Sequence, residues 1–113
     1  MLIYINNCYE DYPTPDKWCD LLMRYANATE KQFKCPGNNK AKCSYAINPN
    51  ANIHTPPDMV LIFETKGGWN QFGGPELITT RNHEGEGCNV LFNDFHVEFV
   101  KPAQIGQLKW KVE

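Results

Sequence analysis

Residues 88–100 constrain the fold more than any other segment, because apolar and polar side chains alternate on both sides of a short Asn-Asp pair. If Asn93 and Asp94 form a two-residue turn, the flanking residues make a β-hairpin in which Phe92 faces Phe95. That register gathers the apolar side chains on one sheet face, namely Cys88, Val90, Phe92, Phe95, Val97 and Phe99. A turn at Asp94 and Phe95 keeps four of them together but requires a left-handed backbone at Phe95, so the first register is preferred.

A helix is expected early in the chain. Thr14 is a suitable N-cap, and Pro15 suits the first helical position. Apolar residues then recur at the spacing of one helix face, at Trp18, Leu21, Leu22 and Tyr25. We therefore predict a helix of about three turns that ends near Asn27 and buries this stripe in the core.

Three further segments have strand character. Residues 44–47 form a short β-prone run, and residues 59–63 form a continuous apolar run that predicts a central strand closed by Glu64. Residues 108–112 alternate apolar side chains with two lysines, which predicts a protected edge strand. The length of 113 residues allows one domain, 1–113. The predicted fold is α+β, with the N-terminal helix packed on a small antiparallel sheet of three to four strands.

Charge and hydropathy argue against two kinds of partner. Lys and Arg number 11 against 13 Asp and Glu, a net charge of -2, so the chain offers no basic surface for nucleic acid. No apolar run approaches the roughly 20 residues that a membrane helix needs. Residues 1–5 are apolar but lack the basic start and the cleavage site of a secretory signal. We therefore expect either a cytosolic protein or one whose export segment lies upstream of this sequence.

The chain has five cysteines, which are Cys8, Cys19, Cys35, Cys43 and Cys88. Cys35 and Cys43 flank residues 36–39, a Pro-Gly-Asn-Asn turn that can bring the two thiols together. We favour a disulfide between them, worth roughly 2–3 kcal/mol. Cys8 and Cys19 are candidates for a second bridge, and five reduced cysteines are the alternative. No Cys-x-x-Cys spacing points to structural zinc.

The C-terminal third also carries a recognisable string, in which His83 is followed by residues 89–92 (Asn-Val-Leu-Phe) and then by Asp94. It resembles the end of the prepilin-type processing-associated proteins, a pilin-like family with the motif His-x9-Asp-Gly. Other matching segments are Tyr4-x-Asn6-Asn7, Lys17-Trp18, Phe33-Lys34-Cys35-Pro36, Ser44-Tyr45-Ala46-x-Asn48 and Val60-Leu61-Ile62-Phe63-Glu64. Two departures stand out, because ten residues separate His83 from Asp94 and Phe95 replaces the family glycine.

The resemblance implies the soluble head of a pseudopilin, a non-enzymatic subunit of a type II secretion or type IV pilus-like apparatus. Residues 1–7 resemble the tail of the family's N-terminal helix, so we expect a pilin-like head without that helix. In the full-length form the helix would be the only membrane contact, and a prepilin peptidase would process it. The head would face the periplasm or the extracellular side, with other pilin-like subunits and secretion-apparatus proteins as partners. An oxidising compartment would suit the predicted disulfide.

Two other functions are alternatives to this one. His83, Asp94, His96 and Glu64 are candidate ligands for a divalent metal, and so for a metal-dependent enzyme. The simpler interpretation is that Asp94 shapes the turn and that the histidines are surface residues. The Gly-rich residues 67–75 predict a surface loop, in which Trp69 and Phe72 are candidates for carbohydrate or peptide binding by a disulfide-stapled module. No nucleophile has a catalytic signature around it, so we predict no catalytic residue and no cofactor.

Overall fold

The computed structural model describes residues 12–26, 28–33 and 43–112, and its main feature is a five-stranded mixed sheet. The strands are β1 (Cys43–Ile47), β2 (Val60–Gly68), β3 (Gln71–Phe72), β4 (Cys88–Phe92) and β5 (Val97–Val100). Their spatial order is β3-β1-β2-β4-β5. β3 runs parallel to β1, and the other neighbouring pairs are antiparallel. A 3-10 turn (Pro15–Lys17) leads into one short α-helix, α1 (Trp18–Tyr25).

The predicted fold class, an α+β pilin-like head with an N-terminal helix packed on an antiparallel sheet of three to four strands, is wrong. The sheet has five strands and is mixed, because the Gly-rich residues 67–75 are not simply a loop. They contain the end of β2 and all of β3, and β3 returns beside β1 in parallel orientation. The helix is also shorter than expected, since the Thr14 side chain makes no capping hydrogen bond and α1 begins only at Trp18.

β2 is the middle strand, as its apolar sequence predicted, and both of its faces are covered. One face belongs to a cluster formed with α1, made of Trp18, Cys19, Leu22, Phe33, Cys43, Ile47 and Leu61. The opposite face belongs to a second cluster, made of Ala46, Val60, Phe63, Cys88, Val90, Phe92 and Val100. The prediction that Glu64 ends this strand is wrong, because β2 continues to Gly68. The Glu64 side chain is therefore buried within the strand and not exposed at its end.

The C-terminal segment covers the second cluster. The predicted edge strand at residues 108–112 is wrong, because this segment has only an isolated bridge between Lys109 and Met59. A 3-10 helix (Pro102–Gln107) precedes it. Trp110 turns inward, where its ring meets the Phe63 ring edge-on at 4.9 Å between centroids. The alternation in this segment therefore reflects a half-buried side formed by Leu108 and Trp110, whereas Val112 is exposed. No helix in the described part of the chain is long and apolar enough to span a membrane.

The hairpin of β4 and β5 is present, but its register is one residue away from the preferred prediction. Leu91 lies opposite Val97, so three residues, 93–95, form the loop. Phe95 takes the left-handed conformation, with φ of 69°. The loop is fixed from outside the hairpin, because the buried Asn93 side chain donates to the Asn52 and Thr55 carbonyls, each at 2.9 Å.

The register decides which face the apolar side chains occupy. The predicted single apolar face from Cys88 to Phe99 is wrong. Val97 and Phe99 lie on the face opposite Val90 and Phe92, and they are 62% and 45% exposed.

Candidate functional site

A buried polar cluster lies where β2, β4 and the segment before β4 meet. Glu64 is fully buried in β2. Its Oε1 lies 2.9 Å from His83 Nε2 and accepts a hydrogen bond from Asn89 Nδ2 at 3.2 Å. Glu64 Oε2 is also buried and has no hydrogen-bond partner among the described residues. A carboxylate in this setting depends on its few polar neighbours, because burial without a partner is costly.

The His83 side chain is held by the segment that carries it. A 3-10 helix (Arg81–His83) presents the imidazole, and Asn82 anchors this helix by donating to the Thr65 carbonyl at 3.0 Å. The Phe99 ring meets the imidazole edge-on at 5.3 Å. The His83 side chain keeps 27% of its surface exposed. It therefore connects the buried carboxylate to solvent.

A second acid and histidine pair lies at the hairpin loop. Asp94 contacts both the backbone N–H and the Nδ1 of His96, and His96 Nε2 lies 3.5 Å from Glu98 Oε1. The hydrogen bonds from the His96 backbone and imidazole lower the pKa of Asp94. The Asp94 carboxylate in turn raises the pKa of His96, with a smaller contribution from Glu98. All three side chains are exposed, so solvent screens their attraction.

The four residues predicted as metal ligands thus form two pairs, Glu64 with His83 and Asp94 with His96. The pairs adjoin opposite ends of β4, because Asn89 at its start contacts the first pair and the loop after Phe92 carries the second. Within residues 12–26, 28–33 and 43–112, no group of three or more His, Cys, Asp or Glu side chains is placed to hold a metal ion.

The two aromatic residues proposed as a binding surface have different environments. Trp69 is half-buried, donates through Nε1 to Asp20 at 2.7 Å, and meets Phe33 edge-on at 5.1 Å. The neighbouring Asn70 bonds the same carboxylate and caps the start of α1, and these bonds, first from Asn70 and then from Trp69, lower the pKa of Asp20. Phe72 is 50% exposed. Trp69 therefore links α1 to the sheet, whereas Phe72 is exposed enough to contact a ligand or another protein.

An open apolar surface, which the sequence did not indicate, lies on the α1 side of the sheet. α1 covers β1 and β2, while Leu91, Val97 and Phe99 on the same face extend beyond it. A groove of about 740 Å³ separates the helix from this half of the sheet, with Trp18 and Leu22 on one side and Leu91 and Val97 on the other. We call Leu91, Val97 and Phe99 the open face. Predicting the open face would have required the observed hairpin register, which differs by one residue from the predicted register.

The open face ends at β5, which is the last strand of the described sheet. Phe92 N–H donates to the His96 carbonyl, and in an antiparallel pair such bonded positions alternate. Glu98 and Val100 therefore direct their backbone groups toward β4, and Val97 and Phe99 direct theirs outward. No described residue bonds the outward groups. Strand edges of this kind are ready to pair with another chain.

The cysteine prediction falls partly outside the described residues, because Cys35 and Cys8 are not among them. Cys19, Cys43 and Cys88 are buried and carry free thiols. The Cys19 and Cys43 sulfur atoms lie 3.7 Å apart.

Comparison with known proteins adds no relative, since the chain matches no protein-family model, no curated protein and no solved structure. The likeness to prepilin-type processing-associated proteins therefore stays a prediction from the motif.

Proposed function

We propose that this protein is a non-enzymatic assembly subunit that binds neighbouring subunits through the open face of β4 and β5. The observation that carries the proposal is the exposure of Val97 and Phe99, 62% and 45%, beside the half-buried Leu91 at the mouth of an apolar groove. Contiguous apolar surface next to an unpaired strand edge is typical of protein contact sites.

We further propose that the subunit is a pseudopilin of a type II secretion or type IV pilus-like apparatus. Two features of the motif support this, whereas the predicted layout of helix and sheet does not. Glu64, His83 and Asn89 carry part of the resemblance and are far apart in sequence, yet they share one hydrogen-bonded cluster. Phe95 stands where the family has glycine, and its φ of 69° lies in the region that glycine adopts most easily. These two observations support the proposal made from the motif.

The same proposal includes a cellular location and binding partners. The head would lie on the periplasmic or extracellular side, anchored in the inner membrane through an N-terminal helix in the full-length form. Its partners would be other pilin-like subunits and secretion-apparatus proteins.

The test compares two lysine substitutions in adjacent residues of β5, made in the full-length gene of the source cell. Val97→Lys places a charge on the open face, and Glu98→Lys places the same charge on the other face of the strand. We expect Val97→Lys to reduce co-purification with pilin-like subunits at least tenfold, and Glu98→Lys to leave it nearly unchanged. Equal retention by both variants, or a full-length protein that no prepilin peptidase processes, would contradict the proposal.

A second candidate function, a small extracytoplasmic module that binds peptide or carbohydrate, is favoured by the groove itself. Its volume of about 740 Å³ is within the range of small-ligand sites, and Phe72 offers an exposed ring elsewhere. Titration with peptides and glycans, followed by tryptophan fluorescence, separates the two functions, since Trp18 lines the groove. A saturable change would favour the module.

A further inference from the structure

We propose that Cys19 and Cys43 form a disulfide that joins α1 to β1, so that the partner of Cys43 is Cys19 and not the Cys35 expected from the turn. The two sulfur atoms lie 3.7 Å apart, and both residues are completely buried. Each belongs to the cluster between the helix and the sheet. The inference is independent of the proposed function, because it concerns only the covalent state of the core.

The geometry of the pair is close to that of a bridge. A disulfide needs its sulfur atoms about 2.05 Å apart, so the observed pair must approach by roughly 1.7 Å. Small rotations of two short side chains provide such a shift. Cys43 also lies at an irregular position of β1, where its sulfur contacts the Tyr45 backbone N–H at 3.4 Å and the Tyr45 carbonyl at 3.3 Å.

The bridge forms by two exchange steps with a glutathione-type disulfide. The thiolate of one of the two cysteines attacks one sulfur of that disulfide, which forms a mixed disulfide and releases one thiolate. The other cysteine then loses its proton and attacks the protein sulfur of the mixed disulfide, which releases the second thiolate.

In total the cysteine pair loses two protons and two electrons, and the glutathione-type disulfide is reduced to two thiols. Because both cysteines are buried in the folded chain, the reaction takes place before the core closes. Once formed, the bond is shielded from reductants by the same burial.

Cys88 provides an internal control. It is buried in the second cluster, on the other side of the sheet from the pair. Once the core has closed, the sheet separates Cys88 from the pair, and burial raises its pKa to about 11, which disfavours the reactive thiolate. We expect Cys88 to stay a thiol under conditions that oxidise the pair.

The experiment is disulfide mapping of the unmodified chain. The protein is refolded with oxidised glutathione, its remaining thiols are alkylated in denaturant, and its unreduced peptides are analysed by mass spectrometry. The expected result is a Cys19–Cys43 cross-linked peptide together with alkylated Cys88. A bridge from Cys43 to Cys35 or Cys8 would overturn the inference, and so would alkylation of both Cys19 and Cys43.

Thermal unfolding gives a second readout. The bridge would close a loop between positions 24 apart, so oxidised protein should melt about 10–15 °C above reduced protein. This difference should persist in Cys88→Ser and Cys35→Ser and vanish in Cys43→Ser. Loss of the difference in Cys35→Ser, or its persistence in Cys43→Ser, would overturn the inference. If a serine variant does not fold, the peptide map of the unmodified chain decides alone.

Discussion

His83 provides a quantitative test of the buried polar cluster. Replacing His83 with Ala removes the group 2.9 Å from Glu64 Oε1, which leaves Asn89 as the remaining described donor to that carboxylate. Leaving a buried acceptor without its partner costs about 1–3 kcal/mol. The His83 side chain is 27% exposed, so water can enter the space it leaves. We therefore expect His83→Ala to lower the free energy of unfolding by about 2 kcal/mol.

The assay is denaturant unfolding of reduced protein, so that thiol chemistry does not contribute. Glu64→Gln provides the matched background, because the amide has nearly the same shape and no charge. There the loss from His83→Ala should fall to about 1 kcal/mol, since an amide oxygen is a weaker acceptor and loses less when its partner is removed. His54→Ala, at an exposed loop position, should change stability by less than about 0.5 kcal/mol. An equal loss in both backgrounds, or a loss no larger than that of His54→Ala, would refute the reasoning.

Three further substitutions test the hairpin and its surroundings. Phe95→Gly should change the free energy of unfolding by less than about 1 kcal/mol in the same assay, because the relief of the left-handed backbone at φ of 69° is offset by loss of the edge-on ring contact between Phe95 and Tyr12; a larger change would contradict this. Gly87→Ala should destabilise by about 1–3 kcal/mol, since its new Cβ would lie 2.6 Å from a carbonyl oxygen of β5, whereas Gly106→Ala meets nothing within 4 Å and should be neutral. Asp94 raises the pKa of His96, so their pairing stabilises the fold fully at pH values below the pKa that His96 has in the unfolded chain. This stabilisation is lost as pH rises through the pKa of His96 in the folded chain. Asp94, whose pKa is lowered, stabilises the fold above its unfolded pKa and loses this effect as pH falls through the folded pKa. NMR titration should therefore show His96 titrating at higher pH in the parent than in Asp94→Asn, and an unchanged midpoint would count against the pairing.

Much of the sheet was predictable because strands with strong apolar patterns depend little on distant contacts. Local sequence predicts β1, the central position of β2 and the two strands of the hairpin. The hairpin register does not, since the buried Asn93 side chain bonds residues about 40 positions earlier and thereby sets a three-residue loop. β3 was missed for a similar reason, because its two residues are ordered by pairing with β1 and not by their own pattern.

The site was predictable in its residues but not in its grouping. The sequence singled out Glu64 and His83, yet it joined them with Asp94 and His96, which the length of β4 keeps apart. It also took Glu64 as the end of a strand. Only the continuation of β2 to Gly68 shows that the carboxylate is buried among neighbours from two other segments.

The most direct measurement is photo-crosslinking from β5 with the protein expressed from its native gene in its own cells. A benzophenone side chain at position 97 lies on the open face, and the same group at position 98 lies on the opposite face of the same strand. The account predicts that position 97 cross-links to neighbouring pilin-like subunits and that position 98 does so much less. Equal cross-linking from both positions, or none from position 97, would contradict it.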